Sequence, residues 1–284
     1  MSDLQNAIPQ QHELDKQLNA QTSVLEAAQI DRQLDMCGCV LSVEVVPETG
    51  STNADLMARL HDLQGPVLRI ALHQTAGRGR AGRTWHSAPG GMLMFSIAWR
   101  MSKPAHALTG LPLAIGVVLA ETLQQLHIPV QLKWPNDLLR DGKKLAGILV
   151  ESASDQAGKT WVVVGVGLNL SISAELEQQI GREVADAPWL ANMDRNRLMA
   201  ILANALAAMF EQFDQQGFTP FLPRWNQLHA YAGQMVQIID HGQVLHRGVA
   251  LGVDLAGCLV LQTQQGQVTV LSGDVSLRPL DTEQ

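Results

Sequence analysis

The 284-residue sequence contains only three cysteines, Cys37, Cys39 and Cys258, and no pair of them has the spacing of zinc ligands. An odd number of cysteines suits a reducing compartment better than a disulfide framework. The N-terminus also lacks the basic start and the apolar run of a secretory signal. These absences predict a cytoplasmic protein without a disulfide scaffold.

Basic charge is scarce as well. Lysine and arginine number 20 against 27 aspartates and glutamates, which gives a formal net charge of −7. No overall positive field attracts DNA or anionic membranes, so any anion site must be local. The longest apolar stretch, around residues 111–120, falls short of the roughly 18 residues that a membrane-spanning helix needs. We therefore expect neither a DNA-binding nor a membrane protein.

Two common signatures of catalysis are missing. The nine histidines show no HExxH or other paired-ligand spacing, and no serine occupies a nucleophile elbow. The sequence thus gives no sign of a histidine-bound metal or of a serine nucleophile.

The chain has enough apolar residues, 46%, for one or two packed domains. Residues 1–21 are polar and rich in glutamine, and we expect a loose tail. Residues 22–232 combine helical and strand patterns, which predicts a domain of mixed helices and strands. Residues 233–284 contain short strands punctuated by glycines, which predicts a small β-barrel or sandwich. The expected fold class is α+β.

Hydrophobic periodicity places the elements of the larger domain. Helices are predicted over residues 24–34, 51–60, 108–126, 197–213 and 221–228. Strands are predicted over residues 42–46, 67–73, 94–99, 130–134, 144–151 and 161–166, with a hairpin turn at residues 157–159. Ser51 or Thr52 is expected to cap the second helix, because either hydroxyl can accept from the free backbone N–H groups of its first turn.

The sharpest motif is Gly77-Arg78-Gly79-Arg80-Ala81-Gly82-Arg83, inside a long irregular segment between two strands. Glycines let the backbone approach a ligand closely, and arginines supply planar, bidentate donors for phosphate or carboxylate. The alternative is an RNA-binding Gly/Arg tract, but such tracts are usually repeated and disordered. A single copy in an acidic protein favours an anion-binding loop.

A second motif, Lys133-Trp134-Pro135-Asn136-Asp137, predicts a strand end followed by a turn. Lys144 follows Asp137 by seven residues. A carboxylate and an ammonium at the ends of adjacent strands can hold Mg²⁺ and an acyl phosphate centre. The alternative is that Lys144 is an ordinary solvated lysine at a strand end.

A third motif, Gly165-Val166-Gly167-Leu168-Asn169, lacks the last glycine and the helix of a dinucleotide fingerprint. Alternating glycines expose bare backbone on one face of a strand. We expect this face to receive a flat ligand ring.

Taken in order along the chain, these motifs resemble those of biotin protein ligases. The matching blocks are Ser51-Thr52-Asn53, Gln74 with the Gly77–Gly82 loop and Trp85, Lys133–Asp137 with Lys144–Leu149, and Gly165–Asn169. A C-terminal β domain also fits this family. The resemblance implies a fold like that of class II synthetases, in which residues 22–232 form a catalytic domain that binds biotin and ATP, with a mixed β-sheet flanked by helices. It also implies an enzyme that activates biotin with ATP and transfers it to a lysine of a carrier protein.

The resemblance also implies roles for individual residues. The biotin site would comprise Ser51, Thr52, Asn53, Gln74, Gly77, Arg78, Gly79, Arg80, Lys144, Gly147 and Gly165. The ATP and adenylate site would comprise Arg80, Arg83, Trp85, Lys133, Asn136, Asn169 and Trp189, with Trp189 stacked on adenine. Lys144, Arg80 and Arg78 would be catalytic, and Asp137 would be the partner of Mg²⁺. Trp85 would help to close the Gly/Arg loop over the intermediate.

The implied carrier is the biotin carboxyl carrier protein of acetyl-CoA carboxylase. Family members that repress transcription carry a winged helix-turn-helix of roughly 60 residues before the ligase core, whereas about 40 residues precede it here. We therefore expect ligase activity without DNA binding. A homodimer is possible if the strands pair across an axis. The alternatives are lipoate ligation and a biotin-sensing or nucleic-acid-binding module.

Overall fold

The computed structural model describes residues 24–35, 40–154, 159–271 and 275–279. The expected tail, residues 1–21, lies outside these ranges. So do Cys37, Cys39 and residues 157–158 of the expected hairpin turn. The corresponding expectations therefore remain predictions.

The helices and strands follow the predicted order with some additions. The helices are α1 Ala27–Asp31, α2 Thr52–Ala58, α3 Leu111–Gln125, α4 Ala174–Ile180, α5 Pro188–Ala191, α6 Arg195–Gln216 and α7 Leu222–Leu228. The strands of the larger domain are β1 Ser42–Thr49, β2 Val67–Gln74, β3 Met92–Met101, β4 Gln131–Lys133, β5 Asp137–Arg140, β6 Lys143–Ser154 and β7 Thr160–Asn169. The C-terminal strands are β8 Met235–Asp240, β9 Gln243–Val253, β10 Leu259–Thr263, β11 Gly266–Val270 and β12 Val275–Pro279.

Within the described residues, the larger domain is built on a seven-stranded sheet in the order β1-β2-β3-β7-β6-β5-β4. The first two strands are parallel, because α2 carries the chain back between them, and the remaining neighbours are antiparallel. The sheet is therefore mixed and flanked by helices, which confirms the predicted α+β class.

Side chains of the central strands alternate between two different environments. On β3, Phe95 and Ile97 join the main hydrophobic core, which α3 and α6 cover. Their neighbour Ser96 points to the opposite face, which α2 approaches. On β7, Gly165 and Gly167 lie on this second face. One face of the sheet is thus closed by apolar helices, and the other carries polar groups and bare backbone.

The helical stretch that contains α3 corrects the expected length of the longest apolar segment. Within the described residues, one helical stretch, Ala105–Gln125, is long and apolar enough to cross a membrane by length and composition alone. However, 72% of its apolar window is buried inside the protein. The apolar segment is longer than residues 111–120, and it forms a core helix packed on α6 and the sheet.

The C-terminal strands form an antiparallel sheet in the order β11-β10-β9-β8-β12. For the part of the chain that the structure describes, β11 and β12 are edges that do not pair with each other. The predicted small C-terminal β domain is therefore confirmed, and its described strands form an open sheet and not a closed barrel. The boundary between residues 232 and 233 stays a prediction.

Short elements account for the other differences from the sequence prediction. The first helix is confined to Ala27–Asp31, and Asp137 begins β5 instead of completing a turn. The sequence prediction also missed α4 and α5, which have seven and four residues. Hydrophobic periodicity is weak over so few residues. The capping signal was present, because the Ser173 side chain accepts from the backbone N–H of Leu176.

We predict that Phe210→Ala destabilises the larger domain by about 3–5 kcal/mol, because it leaves a cavity in the core. Phe210 is fully buried, and its ring stacks on that of Trp99 with a centroid distance of 5.0 Å. Urea unfolding followed by tryptophan fluorescence measures the change. Leu255→Ala, at a position that is 63% exposed, is the control and should stay within about 0.5 kcal/mol of the parent. Equal midpoints for the two variants would contradict the packing argument.

Candidate active site

A cavity of about 370 Å³ lies on the second face of the sheet, between α2, the Gly/Arg loop and β5–β7. Most of the residues expected from the sequence line this one cavity. They are Ser51, Thr52, Asn53, Gln74, Arg78, Gly79, Arg80, Arg83, Trp85, Lys133, Asn136, Asp137, Lys144, Gly147 and Gly165. Residues from all four matching sequence blocks are therefore brought together.

The first turn of α2 forms the polar end of the cavity. The Ser51 side chain caps the helix by accepting from the backbone N–H of Ala54, which confirms one of the two predicted caps. Thr52 donates its backbone N–H to Gln74 Oε1 at 2.7 Å, and its hydroxyl lies 2.6 Å from Ser96 Oγ. Ser51, Thr52 and Asn53 are all buried, so these hydrogen bonds hold them in fixed orientations.

The glycine face of the strands was expected to receive a flat ligand ring, but in the structure the glycines of β6 and β7 do not leave an empty surface. A β-carbon at Gly165 would collide with the Asn53 side chain, and one at Gly167 would collide with the Trp85 indole. Trp85 also lies against Gly147. The bare backbone is therefore covered by the protein's own side chains, and Trp85 is part of the cavity floor.

The Gly/Arg segment is a small hairpin, although its sequence shows no strand periodicity. Gly79 donates its backbone N–H to the carbonyl of Arg83, and Trp85 donates to the carbonyl of Gly77 at 2.9 Å. A β-carbon at Gly77 would lie 2.5 Å from the Trp85 carbonyl oxygen, so only glycine allows this closure. Gly77 lies on the outer side of the loop, in a neighbouring groove, and does not line the main cavity.

The loop's guanidinium groups are held by partners across the cavity. Arg78 donates to Glu151 Oε2 at 2.8 Å, and Arg80 donates to Asn136 Oδ1 at 3.2 Å. The Asn136 amide is itself fixed, because it donates to the carbonyl of Ile148 at 2.7 Å. The motif at residues 133–137 thus positions the loop as well as the cavity wall.

Lys144 and Asp137 form an ion pair of 2.5 Å between β6 and β5. Both side chains are largely shielded from solvent, at 18% and 17% exposure. The Lys144 ammonium also lies 5.4 Å from the centre of the Trp85 ring, within range of a cation–π contact. These contacts disfavour the alternative that Lys144 is a freely solvated lysine at a strand end.

Lys133 is a cation of the cavity whose pKa is strongly perturbed. Burial lowers the pKa of Lys133 to about 8 from its ordinary value of 10.5, because desolvation disfavours the charged amine. Asp137 opposes this shift by attraction. Repulsion by other cations, including Arg278 and Arg182, adds to it.

Several residues that line the cavity were not predicted from the sequence. Arg182 follows α4 and Arg278 lies on β12, so both reach the cavity from distant segments whose local sequence gives no sign of a site. Ser96 was also missed, although a single serine within the apolar run of β3 was a usable signal.

Two predicted site residues lie elsewhere. Asn169 is 2% exposed and does not line the cavity; its amide donates to the carbonyls of Lys144 and Ala185, at 3.2 Å and 2.8 Å. It therefore fixes the backbone of Lys144. Trp189 is also absent from the cavity wall, since it lies under the guanidinium of Arg140 at 4.2 Å. Neither residue is among those that line the cavity, and their expected roles at the adenylate stay predictions.

Comparison with known proteins agrees with this arrangement. A model of the biotin/lipoate A/B protein ligase family matches residues 43–169, and a model of the biotin protein ligase C-terminal domain matches residues 231–278. The chain is 37% identical over 263 residues to the bifunctional ligase/repressor BirA of Escherichia coli K12, covering 90% of this chain and 78% of that protein. The chain belongs to the biotin protein ligase family.

Two further relatives extend this result. A biotin–[acetyl-CoA-carboxylase] ligase of Mycobacterium tuberculosis is 37% identical, with 82% of this chain and 88% of that protein covered. The structure of a biotin protein ligase from Aquifex aeolicus in complex with biotin and ATP matches with a TM-score of 0.68 and 27% identity, covering 84% of this chain and 99% of that one. Membership in this ligase family confirms the resemblance stated from the motifs, and it makes the protein an enzyme.

We predict that Lys133 of this biotin protein ligase titrates near pH 8, so that it is charged below and neutral above that pH. The unfolded chain keeps the proton to about pH 10.5, so this group makes stability rise with pH between the two values. NMR of ¹³C-labelled lysine measures the titration, with Lys133→Met to assign the signal. Lys143 is the reference, because its hydrogen bond to Glu183 raises the pKa of its ammonium. A Lys133 signal that titrates with Lys143 would contradict the burial argument.

Proposed function

We propose that this biotin protein ligase joins biotin to ATP, forming biotinyl-5′-AMP and pyrophosphate, and then transfers biotin to one lysine of a biotin carboxyl carrier protein. The observation that carries the proposal is one cavity with a neutral polar end at α2 and a cationic end at Lys144. Biotin has a matching polarity, with a neutral bicyclic head and a carboxylate tail. The homologues that act on acetyl-CoA carboxylase support this choice of carrier.

The first step needs positive charge around the reacting groups. A carboxylate and a triphosphate repel each other at contact distance. Lys144, Arg80 and Lys133 can attract both, so that a carboxylate oxygen attacks the α-phosphorus and the bond to pyrophosphate breaks. Positioned donors of this kind stabilise charge that develops in the transition state. Arg78 then exchanges Glu151 for the ligand carboxylate.

In the second step, the neutral amine of the carrier lysine attacks the acyl carbon, and AMP leaves. The mixed anhydride reacts with water, so the Gly/Arg hairpin must cover it until the carrier arrives. Gly79, Arg80 and Arg83 of the hairpin already line the cavity, whose floor includes Trp85. In this proposal Arg83 and Asn136 contact the nucleotide, while Asn169 acts indirectly through the backbone of Lys144.

Magnesium fits the site as an ion that enters with the nucleotide. Among the residues that the structure describes, no group of three or more histidine, cysteine, aspartate or glutamate side chains could hold a metal. Asp137 is a carboxylate at the cationic end, and Mg²⁺ commonly uses one carboxylate plus substrate phosphates and water. Bound there, Mg²⁺ would neutralise phosphate charge, while Lys144 holds Asp137 in place.

We also propose that the chain acts as a ligase in the cytoplasm and does not repress transcription. The net charge of −7 supports this, because DNA binding requires basic surface. Salt-dependent binding of the pure protein to DNA would contradict it. Lipoate ligation is the alternative within the family, and competition between the two acids for ATP-dependent activation decides between them. A homodimer remains a proposal, supported by residues 149–154 of β6, which extend beyond their pairing with β5.

We expect Lys144→Met to lower biotin-dependent pyrophosphate–ATP exchange by about 10²–10³-fold, the cost of removing one positioned donor from a charged transition state. Exchange of labelled pyrophosphate into ATP measures the first step alone. Lys143→Met is the matched control, because its neighbour Lys143 pairs with Glu183 outside the cavity, and it should leave exchange unchanged. Exchange by the parent protein without biotin, or none with it, would refute the proposed function.

Arg80→Gly should separate the two steps. Without this guanidinium the hairpin loses its bond to Asn136 and a contact to the intermediate, so we expect partial adenylation with faster escape of biotinyl-5′-AMP. Labelling of lysines on a bystander protein such as albumin measures the escape. Strict labelling of the carrier alone by this variant would show that Arg80 does not retain the intermediate.

A further inference from the structure

Glu151 of β6 connects the two sides of the cavity entrance, although the chemistry described above does not use it directly. Its Oε2 atom accepts from Asn53 Nδ2 at 2.9 Å and from Arg78 Nη2 at 2.8 Å. One carboxylate oxygen therefore holds both the first turn of α2 and the Gly/Arg hairpin.

This contact fixes the orientation of the Asn53 amide. A carboxylate only accepts hydrogen bonds, so the NH₂ group of Asn53 must face Glu151 and its carbonyl oxygen must face the other way. There, Asn53 Oδ1 lies 2.5 Å from Ser96 Oγ, which donates to it. The single hydroxyl hydrogen of Ser96 is thereby committed.

The same logic extends to Thr52. Its hydroxyl oxygen lies 2.6 Å from Ser96 Oγ and 3.2 Å from Gln74 Oε1. Ser96 already donates to Asn53 and an amide oxygen only accepts, so the single hydroxyl hydrogen of Thr52 is shared between these two acceptors. The backbone N–H of Thr52 is used by Gln74 Oε1. Thr52 Oγ1 therefore keeps lone pairs and has no hydrogen left for a ligand, so this part of the wall is an acceptor.

We propose that Glu151 is a positioning residue that sets the direction of the chain Glu151–Asn53–Ser96–Thr52 and thereby makes this end of the cavity select a ligand with N–H donors. The inference rests on the proposed function, in which the cyclic urea of biotin with its two N–H groups occupies this end. A ligand that presents only acceptors there would leave buried lone pairs facing each other.

Two variants separate this role from a simple charge contact with Arg78. Glu151→Ala leaves Asn53 Nδ2 with only its longer contact to the Leu149 carbonyl, at 3.4 Å, so the Asn53 amide is held less firmly. We expect biotin to bind about ten-fold more weakly, equivalent to about 1.4 kcal/mol. Glu151→Gln keeps an acceptor oxygen and loses only the charge, so we expect a loss of less than about three-fold, within the range of an exposed ion pair. ATP affinity should stay unchanged in both.

Isothermal titration calorimetry with biotin and, separately, with ATP measures these affinities. Glu48→Ala is the control, since Glu48 lies on β1 outside the cavity and pairs with His73. Unchanged biotin binding by Glu151→Ala overturns the proposal. So does an equal loss in the Ala and Gln variants, because it would assign the effect to charge alone.

An exchange of groups provides a test that does not depend on the alanine variant folding. Asn53→Asp places two carboxylates against each other and should weaken biotin binding. Adding Glu151→Gln restores one amide donor and one carboxylate acceptor, with Ser96 still donating to residue 53. The double variant should therefore bind biotin at least about ten-fold more tightly than Asn53→Asp alone. Equal affinities would overturn the proposal.

Ligand selectivity gives a readout that a purely structural role would not move. The parent protein should prefer biotin to an analogue methylated on a urea nitrogen, and Glu151→Ala should reduce this preference. The thermal unfolding midpoint of Glu151→Ala should stay close to that of the control Glu48→Ala. An unchanged preference overturns the inference alone, provided that the parent shows biotin-dependent exchange. Failure of the parent to bind biotin overturns both this inference and the proposed function.

Discussion

The site depends on how closely α2 and Trp85 approach the sheet, and small residues on β6 and β7 make this approach possible. A β-carbon at Gly165 would displace the Asn53 side chain, and one at Gly167 would displace Trp85. Strands with ordinary side chains would hold α2 farther from the backbone, and the hydrogen bond from Asn53 to Glu151 would not form. The glycines thus allow the side chains of the site to pack against the sheet, and this role does not depend on a ligand.

Local charge is the second constraint, and it runs against the charge of the whole protein. The chain has a net charge of −7, yet the cavity wall combines Asp137 with many cations, contributed by Arg78, Arg80, Arg83, Arg182, Arg278, Lys133 and Lys144. Crowding like charges in a partly buried space costs free energy. Burial is the main cause of the lowered pKa of Lys133, and repulsion by neighbouring cations adds to it. A polyanion such as a nucleotide relieves the repulsion. Charge repulsion in the unliganded site thereby favours the binding of an anionic ligand.

The sequence predicted the parts of this structure that depend on local pattern. Long periodic elements such as β3, β7 and α6 were found, and so was the cap at Ser51, because side-chain alternation and capping act within a few residues. Most of the predicted site residues do line the cavity, since they lie in short motifs. The open C-terminal sheet, the contribution of Arg278 and the position of Trp189 depend on contacts between distant segments. No local pattern encodes such contacts, and Asn169 shows the same limit, because its motif was visible but its buried partners were not.

The hydrogen bonds of the unliganded cavity also affect how tightly it can bind an anionic ligand. Arg78 is paired with Glu151, and Arg80 is bonded to Asn136, so both guanidinium groups already have hydrogen-bond partners before a ligand binds. A ligand carboxylate or phosphate must replace these partners, and its binding energy is the difference between two sets of charged hydrogen bonds. Glu151 accepts from Asn53 and Arg78 through separate hydrogen bonds, so the exchange of Arg78 proposed above would not require the bond to Asn53 to break. In that proposal one side of the cavity moves while the polar chain at α2 stays fixed, which suits an enzyme that binds one substrate firmly and later admits a protein.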